Sequence, residues 1–211
     1  MEYNKSPDGR FEPLKAKNVD TGMGLERMTM MLQDAPTVFE TDLFTPLLAK
    51  IEKLSGKKYD ADDETRRLMR IMADHVKAAT FIIGDPRGVG PSNVDQGYVV
   101  RRLIRRAVRF GRQLGIEGLC TPDIAETVVA MYDNAYPELR ANSQRIMSEL
   151  RNEEDKFTRT LQRGLQEAMK VKDDYASHVE IPGSVAFYLY ESFGFPKELT
   201  EEVLGKKVNE R

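Results

Sequence analysis

The chain has 211 residues, 40% of them hydrophobic and 31% charged, with a formal net charge of −2. That length supports a sizeable core in one large domain or two small ones, and the near-neutral balance means that any affinity for an anion comes from local segregation of charge. A single cysteine, Cys120, excludes an internal disulfide framework and fits a reducing cytosol, while membrane-spanning apolar runs, a signal-peptide pattern and metal-ligand spacing of Cys and His are all absent from the sequence.

Residues 1–18 read as strand and turn. Ser6-Pro7-Asp8-Gly9 is a turn signal between two short segments, and Pro13 falls near a strand end. An opening in mid-hairpin leads us to expect a fragment that begins inside a sheet. Val19-Asp20-Thr21-Gly22-Met23-Gly24 is a tight glycine turn before an amphipathic helix from Leu25 to Gln33, with Leu25, Met28 and Leu32 on one face. The free N–H groups of that helix start, with Arg27 in the first turn, suit an anionic ligand. An ordinary strand-to-helix turn has the same pattern.

Residues 40–55 predict a short helix ending at Gly56, with Thr41 or Asp42 as its N-cap. Tyr59-Asp60-Ala61-Asp62-Asp63 places acidic residues at the start of the next helix, as the helix dipole prefers. That helix runs to about Ile83 and buries Leu68, Ile71, Met72, His75, Val76 and Ala79. Asp74-His75 resembles a catalytic pair, but a histidine on an apolar face reads more simply as a core group.

A Gly/Pro-rich polar loop, 84–93, leads into GYVVRRLIRRAVRFGR, residues 97–112. On a helix, Val100, Leu103, Ile104, Ala107 and Val108 form one apolar stripe. Arg101, Arg102, Arg105, Arg106, Arg109 and Arg112 take the rest of the surface, uninterrupted by acid. Helix propensity does not require arginine there. A planar guanidinium suits phosphate. Two readings stand: a nucleic-acid surface, or a solvated face that pairs with acidic neighbours such as the acid-rich stretch 149–155.

Beyond Gly115 and Gly118 the pattern predicts a helix from Pro122 to about Ala135. Pro137 then starts one very long helix carrying a seam of Leu139, Ile146, Leu150, Phe157, Leu161, Leu165 and Ala168, with Gly164 as a weak point. Ile181-Pro182-Gly183 breaks it. Ser184 caps a short apolar helix that ends at Gly194, with Pro196 beyond. A last helix runs from Lys197 to about Val208. Cys120 has nothing nearby to activate it as a nucleophile. The fold class expected is mainly α: a helical domain with a long helix, preceded by a small β-hairpin.

Several blocks, in order, resemble alanyl-tRNA synthetases, a family of class II aminoacyl-tRNA synthetases. Val19-Asp20-Thr21-Gly22-Met23-Gly24-Leu25-Glu26-Arg27 resembles their motif 3. Ala73-Asp74-His75, Pro91-Ser92-Asn93 and Gly97-Tyr98-Val99-Val100-Arg101-Arg102 resemble their middle region, and Tyr190-Glu191-Ser192-Phe193-Gly194-Phe195-Pro196 a block near its end. The resemblance implies that residues 1–35 are the end of the aminoacylation core and 36–211 the helical domain that recognises the tRNA acceptor stem. It implies an ATP- and magnesium-dependent ligase joining alanine to tRNA(Ala) in the cytoplasm, with no DNA or membrane partner.

By the same resemblance Gly22, Gly24 and Arg27 bind ATP, and Asp20 holds the α-amino group of alanine. Asn93 and Glu191 read a G·U wobble pair, whose free guanine 2-amino group needs an acceptor. Arg101, Arg102, Arg105, Arg106 and Arg109 hold backbone phosphates. Glu191 stands where the family commonly has aspartate, and its carboxylate reaches one methylene further. Gln96 replaces a common arginine in a slightly longer loop. Motifs 1 and 2 have no counterpart here, so we expect this stretch alone to be inactive in adenylation. A free-standing tRNA-binding module and a helical protein-interaction module are the alternative readings.

Overall fold

The computed structural model describes residues 2–16 and 22–209. The chain divides into two compact units, Met1–Thr45 and Pro46–Arg211.

In the first unit, β1 (Tyr3–Lys5) and β2 (Phe11–Pro13) form an antiparallel hairpin with Asn4 opposite Glu12. The turn closes through Ser6 N–H to the Arg10 carbonyl at 2.8 Å, and Gly9 takes a φ of +85° that disfavours a side chain. Helix α1 spans Leu25–Leu32 and buries no residue; Leu25 and Leu32 of its expected apolar face are both exposed. A 3-10 turn, Val38–Glu40, follows and is capped by Thr37, whose hydroxyl accepts from Phe39 N–H at 3.3 Å.

Helix α2 is Thr45–Ser55, so it starts later than the sequence pattern suggests. Thr41 does not cap it with its side chain. Its hydroxyl bonds back to the Val38 carbonyl at 2.7 Å, and its carbonyl receives Thr45 N–H.

The second unit is a helical bundle. Helix α3 (Asp63–Gly84) is capped by Asp62, which accepts from Thr65 N–H and Thr65 hydroxyl, each at 2.7 Å; these bonds hold its carboxyl below the usual range. Helix α4 (Asp95–Gln113) is the arginine-rich helix, and Val100, Ile104, Ala107, Val108 and Phe110 bury its apolar stripe. Helix α5 is Thr121–Tyr132.

The expected single long helix is two. Helix α6 (Pro137–Ala141) stops at Asn142, whose amide donates to the Gly84 carbonyl at 3.0 Å, and α7 (Ser143–Asp174) resumes there. Anchoring Asn142 to the end of α3 redirects the chain between two segments that share one apolar seam. Arg145 reinforces this joint by donating to the Ile83 and Asp85 carbonyls.

Helix α7 has 32 residues and packs against α3, α4, α5, α6 and two further helices, α8 (Gly183–Phe193) and α9 (Lys197–Leu204). Gly164 proves to be a packing requirement: a Cβ there would meet Phe195 at 2.4 Å and Phe193 at 2.9 Å. Ser184 lies inside α8, behind an N-cap at Pro182. Gly194, at φ +70°, ends that helix as read from the sequence.

A second correction falls at the end of the chain. Gly205, at φ +69°, stops α9 at Leu204, and Lys207–Asn209 forms a strand, β4, parallel to β3 (Glu180–Pro182). Ile181 and Val208 face each other in this pair and are buried. Lys206 caps α7 by donating to the carbonyls of Tyr175, Ala176 and His178 at 2.6 to 2.8 Å.

Cys120 and Thr121 meet Glu154 of α7. This carboxylate is fully buried and accepts four bonds: two backbone N–H groups at 2.9 and 2.8 Å, the Thr121 hydroxyl at 2.6 Å and the Cys120 thiol at 3.3 Å. It thereby caps the N-terminus of α5 from a different helix. Burial, then the Glu154 charge, push the Cys120 thiol well above its ordinary pKa, the reverse of nucleophile activation.

Candidate nucleic-acid interface

The site grows from the first turn of α4. The loop 85–94 folds tightly on that turn: Ser92 N–H donates to the Gly97 carbonyl at 2.9 Å. Gly97 has to be glycine for this, since a Cβ would meet the Ser92 hydroxyl at 2.1 Å and the Gly90 carbonyl at 2.8 Å. Asn93 is thereby held at the start of α4, exposed to solvent.

Glu191 arrives from far along the chain, on α8. Helix α8 is docked on α7, and the Gly194 carbonyl receives an N–H of Arg105. The result brings Asn93 and Glu191 to one open pocket of about 390 Å³, with Arg101, Arg105, Phe187 and Tyr190. Tyr190 donates to Oδ1 of Asn93 at 2.6 Å, and Arg101 donates to the same oxygen. Glu191 is exposed, and its carboxylate makes no hydrogen bond or ion pair among the described residues.

The five arginines singled out on α4 all meet carboxylates, which is the acid-pairing reading of the helix. Arg105 lies in the interior with 9% of its side chain exposed and bonds Glu153, itself 2% exposed, at 2.6 Å. Burial lowers the Arg105 pKa, and Glu153 opposes that shift. Arg101 approaches Glu153 at 3.2 Å. The acid-rich stretch 149–155 thus takes two of the six arginines.

A second acidic row lies on α9. Arg102 pairs with Glu198, and Tyr98 donates to Glu198 at 3.0 Å. Arg106 and Arg109 lie 3.5 and 2.9 Å from Glu202. The Arg106 Nε and Arg109 Nη1 nitrogens in these contacts are buried without an aligned acceptor, so the contacts act through charge. Burial and then Glu198 push the Tyr98 phenol up to about 12. Burial alone would raise Glu198, but its backbone bond, Tyr98 and Arg102 hold it below the ordinary carboxylate value. Exposure separates the arginines: 37% for Arg102 and 41% for Arg106, against 17% for Arg101 and 11% for Arg109.

His75 keeps 14% of its side chain exposed, and its Nδ1 lies 2.9 Å from Asp74. It lines a wider hollow of about 660 Å³ with Arg102, Arg106, Glu198, Glu202 and Lys207. Charges of both signs alternate there, which suits a packing seam better than an anion site.

In the first unit, Gly22, Gly24 and Arg27 are all exposed. A Cβ on Gly22 would meet nothing within 4 Å, and one on Gly24 only Arg27 at 3.8 Å. The chain's own packing therefore does not demand glycine at either place. Asp20 lies outside the described residues. Among the described residues no group of three or more His, Cys, Asp or Glu side chains is placed to hold a metal ion. Among the described residues no helix is long and apolar enough to cross a membrane.

Sequence reasoning missed Tyr190 and Phe187 as pocket residues. Tyr190 was visible as the neighbour of Glu191, and Phe187 as the residue one turn before it. Glu198 and Glu202 carried no signal beyond a helix with acidic residues.

Comparison with known proteins identifies the family. The pattern of the family described as tRNA synthetases class II (A) matches residues 1–209. The alanine–tRNA ligase of Treponema pallidum (strain Nichols) is 49% identical over 205 residues, covering 96% of this chain and 34% of that protein. That of Borrelia hermsii (strain HS1 / DAH) is 46% identical over 203 residues, with coverage of 96% and 34%. That of Geobacillus thermodenitrificans (strain NG80-2) is 45% identical over 204 residues, covering 95% of this chain and 23% of the relative. The chain spans about a third or less of the length of these relatives, and it belongs to the family of class II tRNA synthetases (A) to which the alanine–tRNA ligases are its matched relatives.

Proposed function

We propose that the chain serves an alanine–tRNA ligase, and that its helical unit binds the acceptor stem of tRNA(Ala) and reads a G·U wobble pair. The observation that carries this reading is the pocket shared by Asn93 and Glu191, which no local pattern would bring together. An exposed carboxylate with no partner among the described residues supplies the acceptor that the free guanine 2-amino group needs. An A-form helix offers a wide, shallow minor groove to such groups.

The phosphate role narrows. Arg102 and Arg106, each more than a third exposed, are open to backbone phosphates. Arg101, Arg105 and Arg109 serve first as internal partners of Glu153 and Glu202.

In the first unit we assign Gly22, Gly24 and Arg27 to ATP, and Asp20 to the α-amino group of alanine. Glycines that packing does not require fit a backbone approached closely by a ligand, and Arg27 beside Gly24 suits phosphate. ATP would supply the activating phosphoanhydride. The described residues offer no ligand set for the magnesium it carries. This 211-residue stretch on its own is expected not to form alanyl-adenylate. Alanine-dependent pyrophosphate exchange above background would contradict that. The ligase works in the cytoplasm, consistent with one unpaired, buried thiol.

Binding of acceptor-stem hairpins tests the main claim. A hairpin carrying G·U should bind more tightly than its G·C counterpart by about 1–3 kcal/mol. Affinity should fall with salt by a log–log slope of about 0.7 to 0.9 per phosphate contacted. Equal affinity for the two hairpins would remove the reading, and absence of RNA binding would favour a protein-interaction module.

A further inference from the structure

We infer that Arg101 and Tyr190 are positioning residues that fix the amide of Asn93 with its oxygen turned into the protein, so that Asn93 meets its ligand as a donor and Glu191 alone supplies the acceptor. This rests on the reading of the pocket given above and adds to it the polarity of each contact.

A guanidinium carries N–H donors and no acceptor. Arg101 directs Nη1 at Oδ1 of Asn93, so that atom must be the oxygen. Tyr190 donates to the same oxygen at 2.6 Å. Two bonds use both lone pairs of the amide oxygen. Turning the amide over would set its NH₂ group against the N–H of Arg101, two donors face to face. The NH₂ group of Asn93 therefore points away from both residues.

Neither positioning residue is loose. Arg101 Nε lies 3.2 Å from Glu153, which is 2% exposed and also bound by Arg105 at 2.6 Å. Tyr190 packs edge-on against Tyr98 with ring centroids 6.3 Å apart. Tyr190 is also the neighbour of Glu191 on α8, so the residue that orients the donor and the residue that accepts share one rigid turn. The pocket then presents an NH₂ group beside a carboxylate. That pair fits a base edge where an exocyclic amino group stands near a ring nitrogen or carbonyl acceptor. The guanine 2-amino group goes to Glu191, and an acceptor of the same base pair goes to Asn93.

Asn93→Asp tests the polarity directly. It keeps an oxygen for Arg101 and Tyr190 but replaces the outward donor with a second acceptor. The 211-residue chain is titrated with the G·U and G·C hairpins, with folding checked by circular dichroism. The expected result is a fully folded variant whose preference for G·U falls by about tenfold or more. Tyr190→Phe, a milder change, should lower the G·U preference severalfold; this variant decides the matter should Asn93→Asp fail to fold. A purely structural Tyr190 would weaken both hairpins alike, which overturns its positioning role. Full retention of the preference in Asn93→Asp would mean that Asn93 reads through its oxygen, and overturns the inference while leaving the pocket as reader. Loss of no preference in Asn93→Ala and Glu191→Ala would overturn both.

Discussion

Arg105 sits among the phosphate-facing candidates by sequence and yet is the most enclosed arginine of α4. It bonds Glu153, donates to the Gly194 carbonyl, and stacks over the Phe157 ring at 5.1 Å. Removing one partner of a buried pair leaves the other charge uncompensated, which costs about 3–5 kcal/mol. Arg105→Ala should therefore lose stability on that scale in urea unfolding. Arg102→Ala, at an exposed pair, should lose less than about 1 kcal/mol and instead reduce the salt dependence of RNA binding. Gly164 is a second residue whose role only packing discloses. Gly164→Ala should cost about 1–3 kcal/mol by forcing Phe195 and Phe193 aside, although alanine is the better helix former. A urea midpoint at or above the parent's would contradict that. Sequence could not rank these residues, because exposure of a guanidinium depends on acids dozens of positions away.

The seam between α4 and α9 has its own pH window. The Tyr98 phenol has a folded pKa of about 12 against an ordinary 10.0, so the fold favours the neutral form. Its contribution is complete below pH 10 and is lost as pH rises toward 12. Glu198 is shifted down, so its contribution is present above the ordinary 4.5 and is lost as pH falls through its lowered value. Melting temperatures should decline at both ends, and Tyr98→Phe should flatten the alkaline limb selectively. An alkaline limb identical in Tyr98→Phe would show that another group governs it. At this scale much was legible: α3, α4 and the glycine stop of α8 follow from apolar period and capping residues. The split at Asn142 and the β3–β4 pair were not. One depends on a bond to Gly84 from 58 positions away, the other on a strand pairing residue 181 with residue 208.

For the whole molecule, a net charge of −2 conceals a division of labour among its arginines. Most of those on α4 neutralise buried or half-buried acids and hold the bundle together. In the proposed reading, specificity rests on one small pocket that joins the start of α4 to the end of α8. The candidate pair, Asn93 and Glu191, was readable from motif resemblance; that Arg101 and Tyr190 both bond Asn93 was readable only in three dimensions, because Tyr190 lies 97 positions away from it. The most direct test substitutes inosine for the guanine of the G·U pair, which deletes the 2-amino group alone. With the parent chain, the inosine hairpin should bind more weakly than the guanosine hairpin by about 1–3 kcal/mol, and with Glu191→Ala the two should bind equally. Equal binding by the parent chain, or the same loss in Glu191→Ala as in the parent, would contradict a reading role for Glu191.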